Sequence, residues 1–525
     1  MRRRFSALFL ALCFCGLCFH AQGQTSPAPK GKPTAPPQPK LVLAIVVDQF
    51  RYDYLTRFRA DLSGGLKRLL DQGAVFTNAH YDASPTVTAV GHSTFLSGAT
   101  PALSGIVSNL WWDRTEGKQV TSVSDDKTKL LGANRNAAGS SPGRLLVSTI
   151  GDELKLAGKG GKIIGISLKD RSAILPAGHM ADGAYWFDGQ SGNFISSTYY
   201  FSELPGWVRD FNASHPADKY ASQDWLGHKM PAAAGSQLYD AIDTSPFGDE
   251  VLQSLALRTL AAENLGGGPK TDLLAVSYSS VDYVGHRHGP DSPEIHDMVK
   301  RLDKLIGALI DAAEARAGRG SVLVAFTADH GATPVPEVNQ KRKMPGGRIV
   351  WNTYRAAAEK ALNDKFGAGQ WISFSSDGVI YLRPDPIPGK KLDMADVQRV
   401  AADAIRAQPH IARVYTRTQL AEGALGQKDP VDTRVRNGFN PARSPDIFTV
   451  TEPYYLFGAT GTGHGSPYEY DTHVPVIFLG PAIRIRPGSY PGAIGVEDIA
   501  PTLAALLAIE PPSGNMGRVL TEMLK

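Results

Sequence analysis

Residues 41–48 read LVLAIVVD, an unbroken apolar run that stops at an acidic side chain. Two later apolar runs stop in the same way: DLLAVSY at 272–278, before Asp282 and His286, and SVLVAFT at 321–327, before Asp329 and His330. Continuous β-branched runs of this length are typical of strands buried on both faces of a sheet. These runs therefore predict the centre of an α/β fold.

Helical periodicity separates the runs. Between the second and third runs, apolar residues recur at helical spacing: Met298, Leu302, Leu305, Ile306, Leu309 and Ile310. A further strand is predicted at 474–479, shortly after His464. We therefore predict a central, mostly parallel sheet covered by helices on both faces, in which functional side chains gather where the strands end.

Six potential metal ligands fall at that edge of the predicted sheet: Asp48, Asp282, His286, Asp329, His330 and His464. Any single Asp or His at a strand end is usually a loop cap or a surface charge. The set as a whole favours a divalent metal, and Asp and His ligands suit Zn²⁺. Asp282 and His286 are four residues apart, so one helical turn would bring them together. Five other histidines are expected to pack, cap or face solvent instead: His92, His288, His296, His410 and His473.

The N-terminus has the pattern of a secretory leader, with three arginines, an apolar stretch and small residues for cleavage. We predict a signal peptide at 1–23, a Pro-rich linker at 24–39 and one folded domain at 40–525. A lipoprotein anchor at Cys13, Cys15 or Cys18 is the alternative, but a bulky Leu or Phe precedes each cysteine. The leader is too short for a membrane span, and we expect a periplasmic or secreted monomer.

All three cysteines lie within the predicted leader. The chain that follows therefore has no disulfide, no cysteine nucleophile and no thiolate metal ligand. The formal net charge of +4 includes three leader arginines, which leaves about +1 for the rest of the chain. That balance does not favour nucleic acid as a partner.

Residues 84–98, SPTVTAVGHSTFLSG, contain six hydroxyl side chains. Their density points to a nucleophile, but composition alone leaves the choice among them open. Lys169 and Arg171 lie two residues apart, so in an extended segment they would point to the same side and could bind an anion. A solvated surface pair, partly neutralised by Asp170, is the alternative for these two cations.

At these residues the sequence resembles the alkaline phosphatase superfamily, in its phosphodiesterase/nucleotide pyrophosphatase-like branch. Within that branch it is similar to the secreted alkaline phosphatases that use a threonine nucleophile. The motifs that carry the resemblance occur in the family's order: Val47-Asp48-Gln49, Pro85-Thr86-Val87-Thr88, Gly91-His92, Asp282-Tyr283-Val284-Gly285-His286, Ala328-Asp329-His330-Gly331 and His464-Gly465-Ser466-Pro467. The resemblance implies a three-layer α/β sandwich with lid-like insertions, which we expect near 172–250 and 338–460.

The resemblance also implies the roles of individual residues. Thr88 would be the nucleophile, because Asn109 follows it by the family's interval of 21 positions. Two Zn²⁺ ions are implied, one held by Asp282, His286 and His464 and the other by Asp48, Asp329, His330 and the Thr88 oxygen. Asn109, Lys169 and Arg171 would bind the substrate phosphate, and the Lys-x-Arg pair matches the members that hydrolyse small-molecule phosphate monoesters.

Three other functions are weighed against that expectation. A nucleotide pyrophosphatase/phosphodiesterase on the same scaffold is the first alternative. Residues 140–144, SSPGR, fit the Ser-x-Pro-x-Arg pattern of sulfatases, but they follow Asn109 rather than occupying the position of Thr88. Ser140 or Ser141 is better interpreted as the cap of a helix over 145–156. A non-catalytic binding protein is the third alternative, which the complete ligand set argues against.

Overall fold

The computed structural model describes residues 38–426, 429–481 and 483–525. The predicted signal peptide, the lipoprotein alternative and the linker up to residue 37 lie outside the described residues. Among the described helices, none combines the length and the apolar composition needed to cross a lipid bilayer.

The strands, in chain order, are β1 (Leu41–Val47), β2 (Ala74–His80), β3 (Leu110–Asp113), β4 (Lys118–Thr121), β5 (Ser124–Leu131), β6 (Ala138–Ser140), β7 (Gly160–Ser167), β8 (Gly183–Asp188), β9 (Asn193–Ser197), β10 (Asp224–Trp225), β11 (His228–Lys229), β12 (Thr271–Tyr278), β13 (Val322–Ala328), β14 (Gly347–Ile349), β15 (Ile372–Ser376), β16 (Val379–Leu382), β17 (Ile411–Thr416), β18 (Ile447–Thr451), β19 (Tyr455–Phe457), β20 (His473–Leu479), β21 (Gly488–Tyr490) and β22 (Ile494–Gly495).

The α-helices are α1 (Asp53–Arg57), α2 (Gly65–Gln72), α3 (Thr88–Ser97), α4 (Pro101–Ser104), α5 (Ile150–Leu156), α6 (Asp170–Ala177), α7 (Gly206–Ala213), α8 (Ser236–Asp243), α9 (Pro246–Ala262), α10 (Ser280–His288), α11 (Pro293–Ala317), α12 (Pro336–Lys341), α13 (Trp351–Phe366), α14 (Met394–Arg406), α15 (Arg417–Ala421), α16 (Pro430–Asn437), α17 (Glu469–Thr472) and α18 (Ile499–Leu507).

A large central sheet organises the fold. Its strand order is β21-β2-β20-β13-β1-β12-β7-β8-β9-β5-β6, with β22 also paired to β2. The five strands from β13 to β8 run parallel, and β20 and β9 flank them antiparallel. The three apolar runs singled out in the sequence are the neighbours β12, β1 and β13, and every residue of these strands is buried. The predicted mostly parallel sheet is confirmed.

Helices cover both faces of this sheet. Helix α11 contacts α2 and α9, and all three contact the sheet on one side, whereas α3, α5, α6 and α18 pack together on the other. The apolar stripe of α11 buries Met298, Leu302 and Ile306 in the main core, as its periodicity requires. The predicted three-layer α/β sandwich is confirmed.

The two segments expected as insertions differ in structure. Residues 172–250 contain β8 and β9, which extend the central sheet, before α7, α8 and the small β10–β11 hairpin. The apolar side chains of β8 are buried on both faces, so this part of the segment belongs to the sheet rather than to a lid. Residues 338–460 form a four-stranded sheet, β15-β16-β18-β17, with α13 and α14 around a core of their own.

Candidate active site and metal centre

The first ligand cluster lies where β12 ends. Helix α10 begins at Ser280, directly after the strand, so Asp282 and His286 are one helical turn apart. His286 Nε2 lies 3.1 Å from Asp282 Oδ1, and His464 Nε2 lies 3.7 Å from the same oxygen. One potential ligand atom from each residue falls within 4.8 Å of the other two. The structure therefore places Asp282 and His286 side by side, one helical turn apart, as their spacing in the sequence predicts.

The second cluster lies where β1 and β13 end. Val47 is in register with Ala328, so the next residues, Asp48 and Asp329, leave the sheet side by side. His330 Nε2 is 3.4 Å from Asp48 Oδ1 and 3.5 Å from Asp329 Oδ2. Ligands bound at 2.0–2.2 Å around a tetrahedral zinc ion stand roughly 3.3–3.5 Å apart. The three residues are fully buried, and their spacing matches that of a shared metal.

Backbone carbonyls set the tautomer of the three histidines. Each Nδ1 donates to a carbonyl oxygen 2.8–2.9 Å away: His286 to Thr462, His464 to Thr86 and His330 to Gly331. A carbonyl oxygen can only accept, so Nδ1 carries the hydrogen and the lone pair of the neutral ring is on Nε2. All three Nε2 atoms are therefore prepared as ligands, in the arrangement that metal-binding histidines commonly adopt.

Buried ligand atoms without partners test whether a metal fits. Asp48 Oδ1, Asp329 Oδ2 and His330 Nε2 are buried and find no hydrogen-bond partner among the described residues. Burial and the neighbouring Asp48 carboxylate raise the pKa of Asp329 well above its usual range. Two carboxylates this close repel unless positive charge lies between them. The donor set, two carboxylate oxygens and an imidazole nitrogen, fits a divalent ion such as Zn²⁺.

Lys169 connects the two clusters. Its Nζ donates to Asp48 Oδ2 at 2.7 Å and to Asp282 Oδ2 at 2.6 Å, and its side chain is almost fully buried. Burial disfavours the ammonium, but the carboxylates of Asp282 and Asp48 outweigh this and raise the pKa of Lys169. The Lys169 side chain therefore stays positively charged. It binds Oδ2 of Asp48 in the second cluster and Oδ2 of Asp282 in the first.

Arg171 lies close to Lys169, but the two are not on one extended segment. Strand β7 ends at Ser167, Lys169 caps α6, and Arg171 is the second residue of that helix. The expected alternation is therefore wrong, because the chain turns into a helix between the two cations. Arg171 Nε is buried without a hydrogen-bond partner among the described residues, and its Nη1 is 4.0 Å from Asp170 Oδ1. A guanidinium with a free Nε donor is suited to an anion.

Thr88 begins α3, and its helix abuts the second cluster. His92, one turn later, hydrogen-bonds through Nδ1 to the Thr88 carbonyl at 2.9 Å and lies 3.3 Å from Asp329 Oδ2. Gly91 packs directly against the Asp329 backbone, where any side chain would collide. The first turn of α3 is thus held beside the ligands, and the N-terminal end of a helix favours an anion at that point.

Asn109 stands beside the start of α3. Its Oδ1 accepts a 2.8 Å hydrogen bond from the backbone N–H of Ala89, the residue after Thr88. A cavity of about 490 Å³ opens here, with Asn109, His286 and His464 in its wall. The opposite wall comes from the 338–460 segment and includes aromatic residues: Phe374, Tyr381, Phe448 and Phe457. The structure therefore brings the proposed phosphate-binding amide to the same opening as two ligand histidines.

Gln49 is a site residue whose contacts the sequence did not reveal. Its backbone has φ of 60°, its N–H donates to Asp329 Oδ1 at 3.0 Å, and its Nε2 donates to Asp282 Oδ1 at 2.6 Å. Gln49 thus touches both clusters, and Gly285 leaves the space that its amide occupies. Its position directly after Asp48 could have marked Gln49 as a neighbour of the site. The left-handed backbone turn at Gln49, however, cannot be predicted from the sequence pattern.

Several local expectations are corrected. Ser141 caps the short turn Pro142–Arg144 and donates to Asp125, whereas the helix expected over 145–156 begins only at Ile150, capped by Thr149. Thr149 and Asp152 form a reciprocal capping box, which Ser140 and Ser141 cannot form at that distance. His288 and His296, two of the histidines expected to pack, cap or face solvent, lie in α10 and α11. His92 is fully buried with both ring nitrogens hydrogen-bonded.

Comparisons with known proteins place this geometry in a family. The model of the type I phosphodiesterase/nucleotide pyrophosphatase family matches residues 42–473, a range that spans both ligand clusters and Thr88. The chain belongs to the type I phosphodiesterase/nucleotide pyrophosphatase family. The alkaline phosphatase PhoV of Synechococcus elongatus is 35% identical over 558 residues, covering 100% of both proteins.

Solved structures of family members agree with the fold. The crystal structure of the alkaline phosphatase PafA superposes with a TM-score of 0.87 at 34% identity, covering 94% of this chain and 100% of PafA. A PafA variant superposes with a TM-score of 0.86 at 35% identity, with the same coverage. In that variant a threonine is replaced by serine, and an asparagine, a lysine and an arginine are replaced by alanine.

Proposed function

We propose that this chain is a periplasmic or secreted alkaline phosphatase that hydrolyses phosphate monoesters with two zinc ions and a Thr88 nucleophile. The observation that carries the proposal is the adjacency of two ligand clusters, with His286, His464 and Asn109 in the wall of one cavity and the Lys169 ammonium bonded to Asp48 and Asp282. Two bound zinc ions would supply positive charge that lowers the pKa of a hydroxyl and stabilises the leaving oxygen.

The ligand sets are assigned by distance. Asp282, His286 and His464 would hold one ion, and Asp48, Asp329 and His330 would hold the other, together with the Thr88 oxygen. The three Asp and His residues of each set have donor atoms within 4.8 Å of one another, and the Thr88 oxygen is added from the family resemblance. The rings of His330 and His464 stack with centroids 3.5 Å apart, so the two sets adjoin. Adjoining sites suit an in-line displacement at one phosphorus atom.

In the first chemical step, the Thr88 hydroxyl oxygen attacks phosphorus and the bond to the substrate alcohol breaks. The proton that the Thr88 hydroxyl loses balances the one that the departing alkoxide takes up to leave as the alcohol, while Thr88 carries the phosphoryl group. A water molecule then attacks the phosphothreonine, which releases inorganic phosphate and restores the hydroxyl. Asn109 and Arg171 hold non-bridging oxygens in this sequence, and the start of α3 adds backbone N–H groups.

The two cations favour a monoester over a diester. A monoester phosphate presents two negative charges and three non-bridging oxygens, whereas a diester presents one charge and two oxygens. Lys169 is buried beside both clusters, and Arg171 retains an unpartnered Nε. The Lys169 ammonium is already paired with Asp48 and Asp282, whereas the buried Nε of Arg171 is a donor that remains for the substrate, and the dianion offers it more negative charge than a diester does.

The PafA variant supports the four-residue assignment. Its replaced threonine and asparagine lie 21 positions apart, and its replaced lysine and arginine lie two apart. Thr88 and Asn109, and Lys169 and Arg171, have these same residue types and intervals in this chain. Four residues of the same types and at the same two intervals were thus chosen for substitution in a related alkaline phosphatase.

Side-by-side kinetics test the function. The full chain, with its metal content measured in the same sample, is assayed on an aryl phosphate, the corresponding phosphate diester and an aryl sulfate. The expected result is a kcat/KM for the monoester far above both others, abolished by a chelator and restored by zinc. Preference for the diester would assign a nucleotide phosphodiesterase instead, and no hydrolysis in a zinc-loaded sample would assign a binding protein.

The cellular setting and the assembly state are part of the proposal. The predicted leader at 1–23 supports export, and the nearly balanced net charge of the rest of the chain does not favour nucleic acid as a partner. We propose a monomer, because the site draws its ligands from a single chain. Size-exclusion chromatography with light scattering tests the monomer, and fractionation of cells tests the location.

A further inference from the structure

A third group of potential metal ligands lies outside the proposed catalytic site. It consists of His228 on the β10–β11 hairpin, His288 at the end of α10 and Glu294 in the first turn of α11. The proposed reaction uses none of the three. The sequence interval of 60 residues between the two histidines conceals the group, and only the packing of the hairpin against both helices brings it together.

This group is separate from the neighbouring catalytic ligands. His286 and His288 are two residues apart on α10, which is about 200° around an α-helix. His286 Nε2 faces Asp282, whereas His288 Nδ1 lies 3.5 Å from Glu294 Oε1. The two histidines therefore serve different sides of the helix.

The distances within the group are those of ligands sharing an ion. His228 Nε2 is 3.0 Å from Glu294 Oε1, the imidazole centroids are 4.9 Å apart, and all three donor atoms fall within 4.8 Å of one another. Ligands of a tetrahedral zinc ion are spaced by roughly 3.3–3.5 Å, so small rotations of the side chains would complete the geometry.

The hairpin that carries His228 is held firmly. Leu226 and Gly227 both have positive φ, the pattern of a tight two-residue turn that pairs Trp225 with His228. Trp225 is 2% exposed, and its indole N–H donates to Asp297 on α11 at 2.8 Å. His228 is thus presented to α11 by a neighbour that is itself anchored there, which limits the entropy lost on binding an ion.

From this geometry we propose that His228, His288 and Glu294 form a third metal site, which binds Zn²⁺ or a similar transition-metal ion and fastens the β10–β11 hairpin to α10 and α11. Two imidazoles and one carboxylate suit zinc, and hard cations such as Mg²⁺ and Ca²⁺ prefer all-oxygen sites. The side chain of His228 is 39% exposed, so an ion can reach the site and solvent can supply a fourth ligand.

Metal stoichiometry in the full chain tests the site. Zinc-reconstituted protein is titrated further with Zn²⁺ by calorimetry, and total zinc is measured by mass spectrometry after equilibrium dialysis. Wild type is expected to bind one zinc ion more per chain than His228→Ala or Glu294→Gln. His296→Ala is the matched control, because this partly exposed histidine on α11 pairs only with Asp61 and stacks on Phe58 among the described residues.

A second measurement separates a lost site from a misfolded variant. All three variants should retain monoester hydrolysis, since none of these residues belongs to the proposed catalytic machinery. Added Zn²⁺ should raise the Tm of the holoenzyme further in wild type and in His296→Ala, but not in His228→Ala or Glu294→Gln. Equal zinc content and equal Tm shifts in wild type and His228→Ala would overturn the proposal, and would leave the catalytic assignment unaffected.

Discussion

Replacing Arg171 by alanine should lower kcat/KM for phosphate monoesters several-fold more than for diesters. Arg171 Nε is buried without a hydrogen-bond partner among the described residues, and Asp170 is 4.0 Å from its Nη1, beyond hydrogen-bonding range. The guanidinium therefore has donors available for a substrate oxygen. Removing it should affect substrate recognition without leaving a carboxylate that it had neutralised at close range.

The expected magnitude follows from one charge-assisted hydrogen bond. Such a bond contributes about 1.5–3 kcal/mol, and about 1.4 kcal/mol corresponds to a tenfold change in rate. The loss in kcat/KM for a monoester should therefore be about 10- to 150-fold. A diester offers one fewer charge and one fewer oxygen, so its loss should be several-fold smaller. Arg171→Lys keeps the charge but not the fork of donors, and it should fall between the alanine variant and wild type.

Steady-state kinetics on an aryl phosphate and its bis-aryl diester provide the assay. Arg144→Ala is the matched control, because the Arg144 guanidinium forms ion pairs with Asp113 and Glu116 and is not in the wall of the cavity. Unchanged zinc content and Tm would show that the fold is intact. Equal losses on the two substrates, or a loss confined to the diester, would refute the assignment of Arg171 to the monoester dianion.

Three further outcomes are expected. Thr88→Ala should abolish turnover while both proposed zinc ions remain bound, as measured by metal analysis; full activity in this variant would remove Thr88 as nucleophile. A chelator should lower Tm as well as activity, because Asp48 and Asp329 then repel each other without a shared cation, and zinc should restore both. Burial raises the pKa of Glu497 from 4.5 to about 8, so the folded state holds a proton that the unfolded state releases. Stability should therefore fall by about 1.4 kcal/mol per pH unit between about pH 5 and pH 8, and Glu497→Gln should remove this slope in denaturant titrations whereas the exposed control Glu510→Gln should not.

Much of the fold could be predicted from the sequence because its signals are local. The runs that became β1, β12 and β13 are long and apolar, which leaves few alternatives to a buried strand. The pair Asp282 and His286 could be placed together because helix geometry joins residues four apart. The same local reasoning misjudged Lys169 and Arg171, where the strand gives way to a helix within two residues.

The sequence by itself was enough to predict the apolar strands at the centre of the sheet, the candidate metal ligands and, through the family interval to Asn109, Thr88 as the candidate nucleophile. Those features depend on residue type and on short spacings. Tertiary structure alone decided the rest: Lys169 bridging Asp48 and Asp282, Gln49 touching both clusters, and His228 meeting His288 and Glu294. Each of these contacts joins residues tens to hundreds of positions apart, so it depends on how elements pack and not on any pattern along the chain.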